Sequence, residues 1–280
     1  MFEDISKVIL LSDMDGTLLD SHKQITDIDR AAIRRFTGLG GHFSVATGRT
    51  IQSFDQYRSM TELKSPVIMY NGAAIHDYVS GETLYTHPLP DNARQLAMDI
   101  MAAMPENGGE VLCTDNTYVF SNTDYQKLHT KICGITPVYA GLDEIPEGGW
   151  LKVLFAMSPE DMLRMEVLIS QMSCPGVDFV RSSDIFWEML PKGISKGSAL
   201  EVYRTLPGYE DFTFVAAGDF DNDLEMLRAA DLGACPANAE EIVRENADIV
   251  LGSTNDEGAV AELIDHIIRR CSEHEEEQNG

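Results

Sequence analysis

The feature that most constrains this chain is the apolar run Val8-Ile9-Leu10-Leu11, followed at once by Ser12-Asp13-Met14-Asp15-Gly16-Thr17. A branched and leucine-rich run of that length, closed by a glycine, predicts a strand buried on both faces of a parallel sheet. Ligands of open α/β sheets bind beyond the carboxyl ends of the strands, and this strand delivers two carboxylates there. Gly16 supplies the turn that ends it.

The same strand-then-helix pattern continues. Thr26 or Asp27 can cap a helix with Ile28, Ala32, Phe36 and Leu39 at helical spacing, closed by the glycines at 38, 40 and 41. Residues 42–46 predict a second strand, Thr47-Gly48-Arg49 its polar end, and a helix from about Thr50 to Met60 follows. Residues 66–70 form a third short strand, and Asn71-Gly72 turns the chain into a hairpin around Gly81. Strands alternating with helices favour a parallel sheet with right-handed crossovers.

From about Leu84 the character changes. Ala93, Leu96, Ala97, Ile100, Met101 and Met104 make one apolar helix face, and residues 111–114 and 117–120 flank Asp115-Asn116 as a hairpin. Residues 150–157 read as a strand, and Ser158-Pro159-Glu160-Asp161 as the start of a helix with Met162, Met165, Leu168, Ile169 and Met172 inward. The methionines read as core filler. Strands at 177–181 and 185–190 complete an α+β insert. The alternating pattern resumes near Pro191, with a helix carrying Leu200, Tyr203 and Leu206, a buried strand at 212–217, short strands at 232–235 and 248–251, a helix near 240–246 and a last helix over about 258–270. The expected organisation is a sheet domain of residues 1–85 and 191–272, an inserted α+β domain of residues 86–190, and an acidic frayed tail at 273–280.

Charge and composition restrict the partners. With 46 Asp and Glu against 21 Lys and Arg, the net charge of -25 argues against nucleic acid and anionic membranes, which both draw on clustered cations. No apolar run approaches the ~20 residues that span a bilayer. The start Met1-Phe2-Glu3-Asp4 is acidic where a signal peptide would be basic. Cys113, Cys133, Cys174, Cys235 and Cys271 are widely spaced without a C-x-x-C pair, so reduced thiols and a cytoplasmic location are expected. His22, His42 and His76 have no metal-ligand spacing.

Four polar clusters follow a predicted strand or open a predicted helix: Asp13 with Asp15, Thr47 with Arg49, Lys196, and Asp219 with Asn222 and Asp223. If their segments share one sheet, the four converge on one edge. Several carboxylates suit a hard cation, a lysine and a hydroxyl suit phosphate oxygens, and one carboxylate is left to attack, which is the equipment of phosphoryl transfer. Magnesium is the natural cation, because it takes few carboxylates and keeps water and substrate oxygens. Singly, each residue has a plain structural reading: Asp15 before Gly16 as turn chemistry, Thr47 as a helix cap, Lys196 as a surface cation. A calcium loop over Asp219, Asp221 and Asp223 fails, since Leu224 and Ala230 stand where glycine and glutamate are needed.

Asp13-Met14-Asp15-Gly16-Thr17 resembles the D-x-D-G-T nucleophile motif of the haloacid-dehalogenase (HAD) superfamily, and Ala46-Thr47-Gly48-Arg49 resembles its second motif. Gly193-Ile194-Ser195-Lys196-Gly197 is similar to the third and Gly218-Asp219-Phe220-Asp221-Asn222-Asp223 to the fourth. Their order, with Tyr70-Asn71-Gly72-Ala73 and a long insert between the second and third motifs, resembles the Cof-type (class IIB) phosphatases.

The resemblance implies an α/β fold, a Rossmann-like parallel-sheet core with an inserted α+β cap of the C2B type. It implies that Asp13 is the nucleophile, forming an aspartyl-phosphate, and a magnesium ligand. Asp15 would protonate the leaving oxygen, then activate water, with its backbone carbonyl on the metal. Thr47 would bond the phosphoryl group, Lys196 would neutralise charge on it and on Asp13, Asp219 would ligate magnesium, and Asp223 would support the metal. Asn222 would touch the phosphate or Lys196, Asn71 and Gly72 would line the substrate mouth, and Gly16, Gly48 and Arg49 complete the phosphate-binding set. The insert would act as a lid and choose the substrate, with Asn116, Tyr118, Tyr125, Arg181 and Glu188 as candidates.

The expected activity is a magnesium-dependent phosphatase acting on a small phosphorylated metabolite, a sugar phosphate or a phosphorylated cofactor, in a monomer or homodimer. A sugar phosphomutase of the same superfamily and a non-catalytic metabolite-binding module are the alternatives. The absence of any long apolar run disfavours a pump, and Asp15 disfavours dehalogenase chemistry, which would not need that acid.

Overall fold

The computed structural model describes residues 4–58 and 61–279. The expectations placed on Met1, Phe2 and Glu3, and on the Met60 end of the second predicted helix, lie outside them. In chain order the elements are β1 (Val8–Ser12), α1 (Asp27–Gly38), β2 (His42–Val45), α2 (Ile51–Arg58), β3 (Val67–Met69), β4 (Ala74–Asp77), β5 (Glu82–Thr86), α3 (Ala93–Ala103), β6 (Gly108–Cys113), β7 (Thr117–Ser121), α4 (Asp124–Cys133) and β8 (Val138–Tyr139). There follow β9 (Trp150–Ala156), α5 (Met162–Gln171), β10 (Val177–Arg181), β11 (Phe186–Pro191), α6 (Lys196–Arg204), β12 (Thr213–Ala217), α7 (Leu224–Ala229), β13 (Leu232–Cys235), α8 (Glu241–Asn246), β14 (Ile249–Val250) and α9 (Ala259–Asn279).

The chain divides into two compact units, one of Met1–Gly48, Tyr57–Leu84 and Ser195–Gly280, the other of Arg49–Gln56 and Tyr85–Ile194. The first unit is a five-stranded sheet in the order β14-β13-β12-β1-β2, parallel throughout. All five residues of β1 are buried, as a central parallel strand demands, and Ile9, Leu10 and Leu11 lose their whole surface. The chain moves from β1 to β2 on one side and from β12 to β14 on the other. The strand order therefore reverses between β1 and β12, which is where an α/β sheet of this kind opens a crevice. Thr26 caps α1, its hydroxyl accepting from the Asp29 amide, and β3, β4 and β5 form a separate three-stranded sheet turned at Gly81.

The second unit carries a six-stranded sheet in the order β10-β11-β9-β6-β7-β8. Val111, Val153, Phe155 and Met189 point to one face and pack with Leu96, Ala97, Ile100, Met162 and Met165 of α3 and α5, so the methionine stripes are core. Alternation sends Glu110, Lys152, Leu154 and Glu188 to the other face. Helix α4, which has no mark in the expectations above, stands against β6 there.

Two boundaries differ from expectation. Helix α9 runs on to Asn279, because Glu, Gln, His and Arg are all compatible with a helix and no glycine intervenes before Gly280. Ser158 closes a turn with Asp161 instead of capping α5, which starts at Met162.

Gly197, the second residue of α6, shows how closely the elements beneath the sheet end are fitted. A Cβ there would stand 2.5 Å from the backbone carbonyl of Glu225 in α7. Gly197→Ala should destabilise the protein by about 1–3 kcal/mol through overpacking against rigid backbone, read as a lower urea midpoint at unchanged slope.

Candidate active site

Backbone ladders bring the polar ends of four strands together. Past β1, the Asp13 amide donates to Ala217 of β12 at 2.8 Å, and Ala46, past β2, donates to Ser12 at 2.9 Å. Thr47 then donates to Ile68 of β3 at 2.9 Å, and Asn71 donates back to Thr47 at 3.1 Å. Asp13, Thr47, Asn71 and Asp219 are thus set by the register of adjacent strands, not by loop conformation. Asn71 has a left-handed backbone at φ 56°, and Gly72 follows at φ 106°, where a Cβ would meet the Ser195 carbonyl at 2.1 Å. This turn lies against the start of α6, and the Asn71 side chain stands against Gly48.

Helix α6 begins with a reciprocal capping box between Ser195 and Ser198 that fixes Lys196 at its first position. Lys196 is 1% exposed, and its Nζ donates to Asp13 Oδ1 and to Asp223 Oδ1, both at 2.6 Å. The reading of Lys196 as a surface cation is excluded. Asp223 is also fully buried; its other oxygen accepts from the backbone amides of Asp219 and Phe220. Asp219 accepts from the Thr17 hydroxyl at 2.7 Å. Gly16, at φ 94°, is required by this approach, because a Cβ would fall 2.3 Å from Asp219 Oδ2.

The electrostatics follow from three carboxylates around one cation. Burial pushes the Asp13 carboxyl up to about 8; Lys196 opposes that, while Asp223 and Asp219 add to it. Burial likewise pushes Asp219 up to about 6 against the Thr17 hydrogen bond. Burial would lower the Lys196 ammonium, but Asp13 and Asp223 outweigh it and hold it above its ordinary value. Ligand atoms of Asp13, Asp219 and Asp223 all lie within 4.8 Å of one another. Three hard oxygen donors under mutual repulsion fit a divalent cation of the oxygen-seeking kind.

Asp15 goes elsewhere. In a continuing strand it would share a face with Asp13; the turn at Gly16 instead leaves Asp13 buried and Asp15 exposed, its carboxylate 2.8 Å from Lys23. Its side chain is outside the three-carboxylate group. Asn222 is exposed, and the hydrogen bonds of Lys196 run to Asp13 and Asp223. The fourth-motif turn sends Asp223 inward and the preceding side chain out.

Four residues near the site escaped sequence reading: Thr17, Lys23, Asn238 and Asn255. Asn238 donates to the Gly16 carbonyl and Asn255 to the Leu19 carbonyl, each at 2.8 Å, and the Asn255 amide donates to Asn238. They brace the loop after β1 from more than two hundred residues away. Only Thr17 carried a usable signal, standing inside the first motif.

The remaining candidates lie in the second unit. Arg49 is half-buried at its first residue. Asn116 and Tyr118 both bond the Asp115 carboxylate in the turn between β6 and β7. Tyr125 is 38% exposed on α4, and Arg181 pairs with Asp184 at 2.6 Å on the surface. Glu188 differs from these: it is buried and paired with Lys152 at 2.9 Å on the sheet face away from α3 and α5.

A family model described as haloacid dehalogenase-like hydrolase matches residues 10–264 of the chain. A 5-amino-6-(5-phospho-D-ribitylamino)uracil phosphatase of Bacillus subtilis is 30% identical over 272 residues, 94% of this chain and 97% of the relative. A pyridoxal phosphate phosphatase of Escherichia coli is 24% identical over 94% of this chain and 99% of its own. Among solved structures, a haloacid dehalogenase-like hydrolase from Bacteroides thetaiotaomicron superposes with a TM-score of 0.81 at 26% identity, covering 93% of this chain and 99% of the other.

Removing the buried cation should expose how the cluster is held. Lys196→Ala leaves Asp13 and Asp223 buried without compensation, a change expected to cost about 3–5 kcal/mol. Urea titration of the variant should show that deficit at neutral pH and a smaller one in acid, where the carboxyls take up protons.

Proposed function

Since this chain belongs to the haloacid dehalogenase-like hydrolases and is a phosphoric monoester hydrolase of their Cof-type branch, we propose that it is a magnesium-dependent phosphatase that works through an aspartyl-phosphate on Asp13. The observation that carries this reading is the Asp13–Lys196–Asp223 group at the reversal of strand order, with Asp219 beside it. A carboxylate is a competent nucleophile toward phosphorus when its own charge and that of the phosphoryl group are neutralised nearby.

In this scheme Asp13 attacks the phosphorus of a monoester, and the bond to the leaving oxygen breaks in line. Asp15, outside the buried cluster and beside Lys23, gives that oxygen its proton and later takes one from the water that hydrolyses the acyl phosphate. Lys196 stays protonated throughout and meets the charge that builds on the phosphoryl oxygens. Thr47 donates its hydroxyl to the same group, and Gly16, Gly48, Asn71, Gly72, Asn222 and Arg49 complete the phosphate-binding set. Asp13 and Asp219, with the Asp15 backbone carbonyl and with Asp223 in support, would hold magnesium, which when bound would withdraw charge from the phosphoryl oxygens.

The substrate is a small phosphorylated metabolite, a sugar phosphate or phosphorylated cofactor. The ribitylaminouracil and pyridoxal phosphate phosphatases that resemble the chain both act on phosphate esters of small heterocyclic compounds. Selection of the leaving group is assigned to the second unit, where Asn116, Tyr118, Tyr125, Arg181 and Glu188 are the candidates.

Hydrolysis of p-nitrophenyl phosphate should require magnesium, stop in EDTA and vanish in Asp13→Ala; undiminished release in that variant removes the mechanism. Thr47→Ala should lower kcat by roughly 10²-fold, as loss of one oxyanion-type donor does. A panel of sugar phosphates, flavin mononucleotide, pyridoxal phosphate and ribitylaminouracil phosphate then sets the order of preference.

Metal and protons compete for the same carboxylates. Asp13 and Asp219 have folded-state values raised from 3.8 to about 8 and about 6, so the folded form holds more protons than the unfolded chain across that interval. Stability without metal therefore falls as pH rises from about 4 to about 8. Magnesium should raise the melting temperature more at about pH 8 than at about pH 5, a difference that thermal scans at matched ionic strength would detect.

A further inference from the structure

Outside the carboxylate cluster, one constellation of nucleophile, base and acid stands apart on the second unit. Cys133 and His129 lie one turn apart on α4, and Cys133 Sγ is 3.4 Å from His129 Nε2. The other ring nitrogen, Nδ1, meets Glu110 Oε1 of β6 in an ion pair. Glu110 is fully buried, and its second oxygen accepts from Gln126 Nε2 at 2.9 Å, so both of its oxygens meet side chains of one face of α4. Phe186 of β11 stands edge-on to the imidazole with 5.2 Å between centroids. His129 is nearly covered, whereas Cys133 retains access to solvent.

The ring thus stands between a buried carboxylate, which meets Nδ1 as an ion pair without hydrogen-bond geometry, and the Cys133 sulfur at Nε2, so a nucleophile lies beside a charged imidazole. It is not a metal site. The two ring nitrogens point away from each other, so the carboxylate and the sulfur cannot close on one ion, and among the described residues only Asp13, Asp219 and Asp223 form a ligand group. Burial lowers the proton affinity of His129, but Glu110 outweighs it and pushes the imidazole up to about 10. A ring with that affinity is an imidazolium near neutral pH and directs its Nε2 proton at the sulfur. The carboxyl end of α4 acts against a sulfur anion, and the imidazolium beside it acts for one.

We infer that Cys133 is a modification site for hydroperoxides, activated by the His129–Glu110 pair, and separate from the phosphatase chemistry. The sulfur attacks one peroxide oxygen and forms an S–O bond while the O–O bond breaks. The departing hydroxide takes the proton parked on His129 Nε2 and leaves as water; sulfur is oxidised by two electrons to the sulfenic acid and the peroxide is reduced.

The other thiols of this unit supply the internal standard. Cys174 is also partly exposed but is raised by burial, and burial pushes Cys113 up to about 12. Treatment of the whole protein with dilute hydrogen peroxide and dimedone near neutral pH, followed by peptide mass spectrometry, should label Cys133 roughly tenfold faster than Cys174. His129→Gln, which keeps shape but cannot hold the proton, should bring Cys133 down to the rate of Cys174, and Cys133→Ser should remove the adduct. Equal labelling of Cys133 and Cys174 in the unaltered protein overturns the inference without any variant. So does an undiminished Cys133 rate in a His129→Gln protein that retains its melting temperature and phosphatase activity.

Discussion

Everything at the candidate site depends on one buried ammonium. Lys196 has almost no surface, and both carboxylates that it touches are themselves buried. Burying three charges is expensive, and well-packed apolar residues in such a place often give equal or greater stability. A fold that retains the charges keeps an arrangement whose value lies in chemistry. The raised Asp13 and Asp219 carboxyls express the same tension, because the cluster holds more negative charge than Lys196 alone can balance. A divalent cation and a phosphoryl group supply opposite charges to such a cluster, and the imbalance is the physical basis of its affinity for the pair.

The sheet makes that concentration of charge possible. Asp13 leaves β1 and Asp219 leaves β12, neighbouring strands on either side of the point where the strand order reverses. Parallel strands end in the same direction, so residues about two hundred positions apart in sequence are brought within bonding distance by register. Tight local geometry then divides the roles. Gly16 admits Asp219 at a distance that no side chain would permit, and the same turn leads Asp15 out to Lys23 while Asp13 stays in. Asn238 and Asn255 hold the carbonyls of this turn, so the loop carrying Asp15 is fastened to the far end of the chain.

The second unit follows a different rule. Its sheet has one apolar face under α3 and α5 and one face that carries buried charge: the Lys152–Glu188 pair and the Glu110–His129 pair. Each buried charge has a partner, as the desolvation penalty requires. Two separate ion pairs on one sheet face, with a cysteine at the edge of one of them, make this surface chemically richer than its methionine-filled core.

The strands of the parallel sheet, the α+β character of the insert and the carboxylates, lysine and threonine of the motifs were legible in the sequence. Buried strands write themselves as unbroken apolar runs, and motif residues sit beside glycines that the turns cannot do without. Helix α4 carries a Thr123 cap and an apolar stripe of Tyr125, Leu128 and Ile132, but that stripe is exposed and the side it buries holds the polar Gln126 and the nearly covered His129, so its place in the fold was not legible. The extension of α9 has no distinct mark in the sequence, because a run of charge reads equally as a solvated end, although glutamate favours a helix. Sequence by itself determined which groups are available and the order in which strands deliver them. Only the tertiary structure decided which of them meet: that Lys196 bridges Asp13 and Asp223 while Asn222 faces solvent, and that Thr17, Lys23 and two distant asparagines serve the same loop. The reason is that a local pattern records burial and turning, whereas the partner of a buried charge is chosen by strand register and by contacts between segments that the sequence leaves far apart.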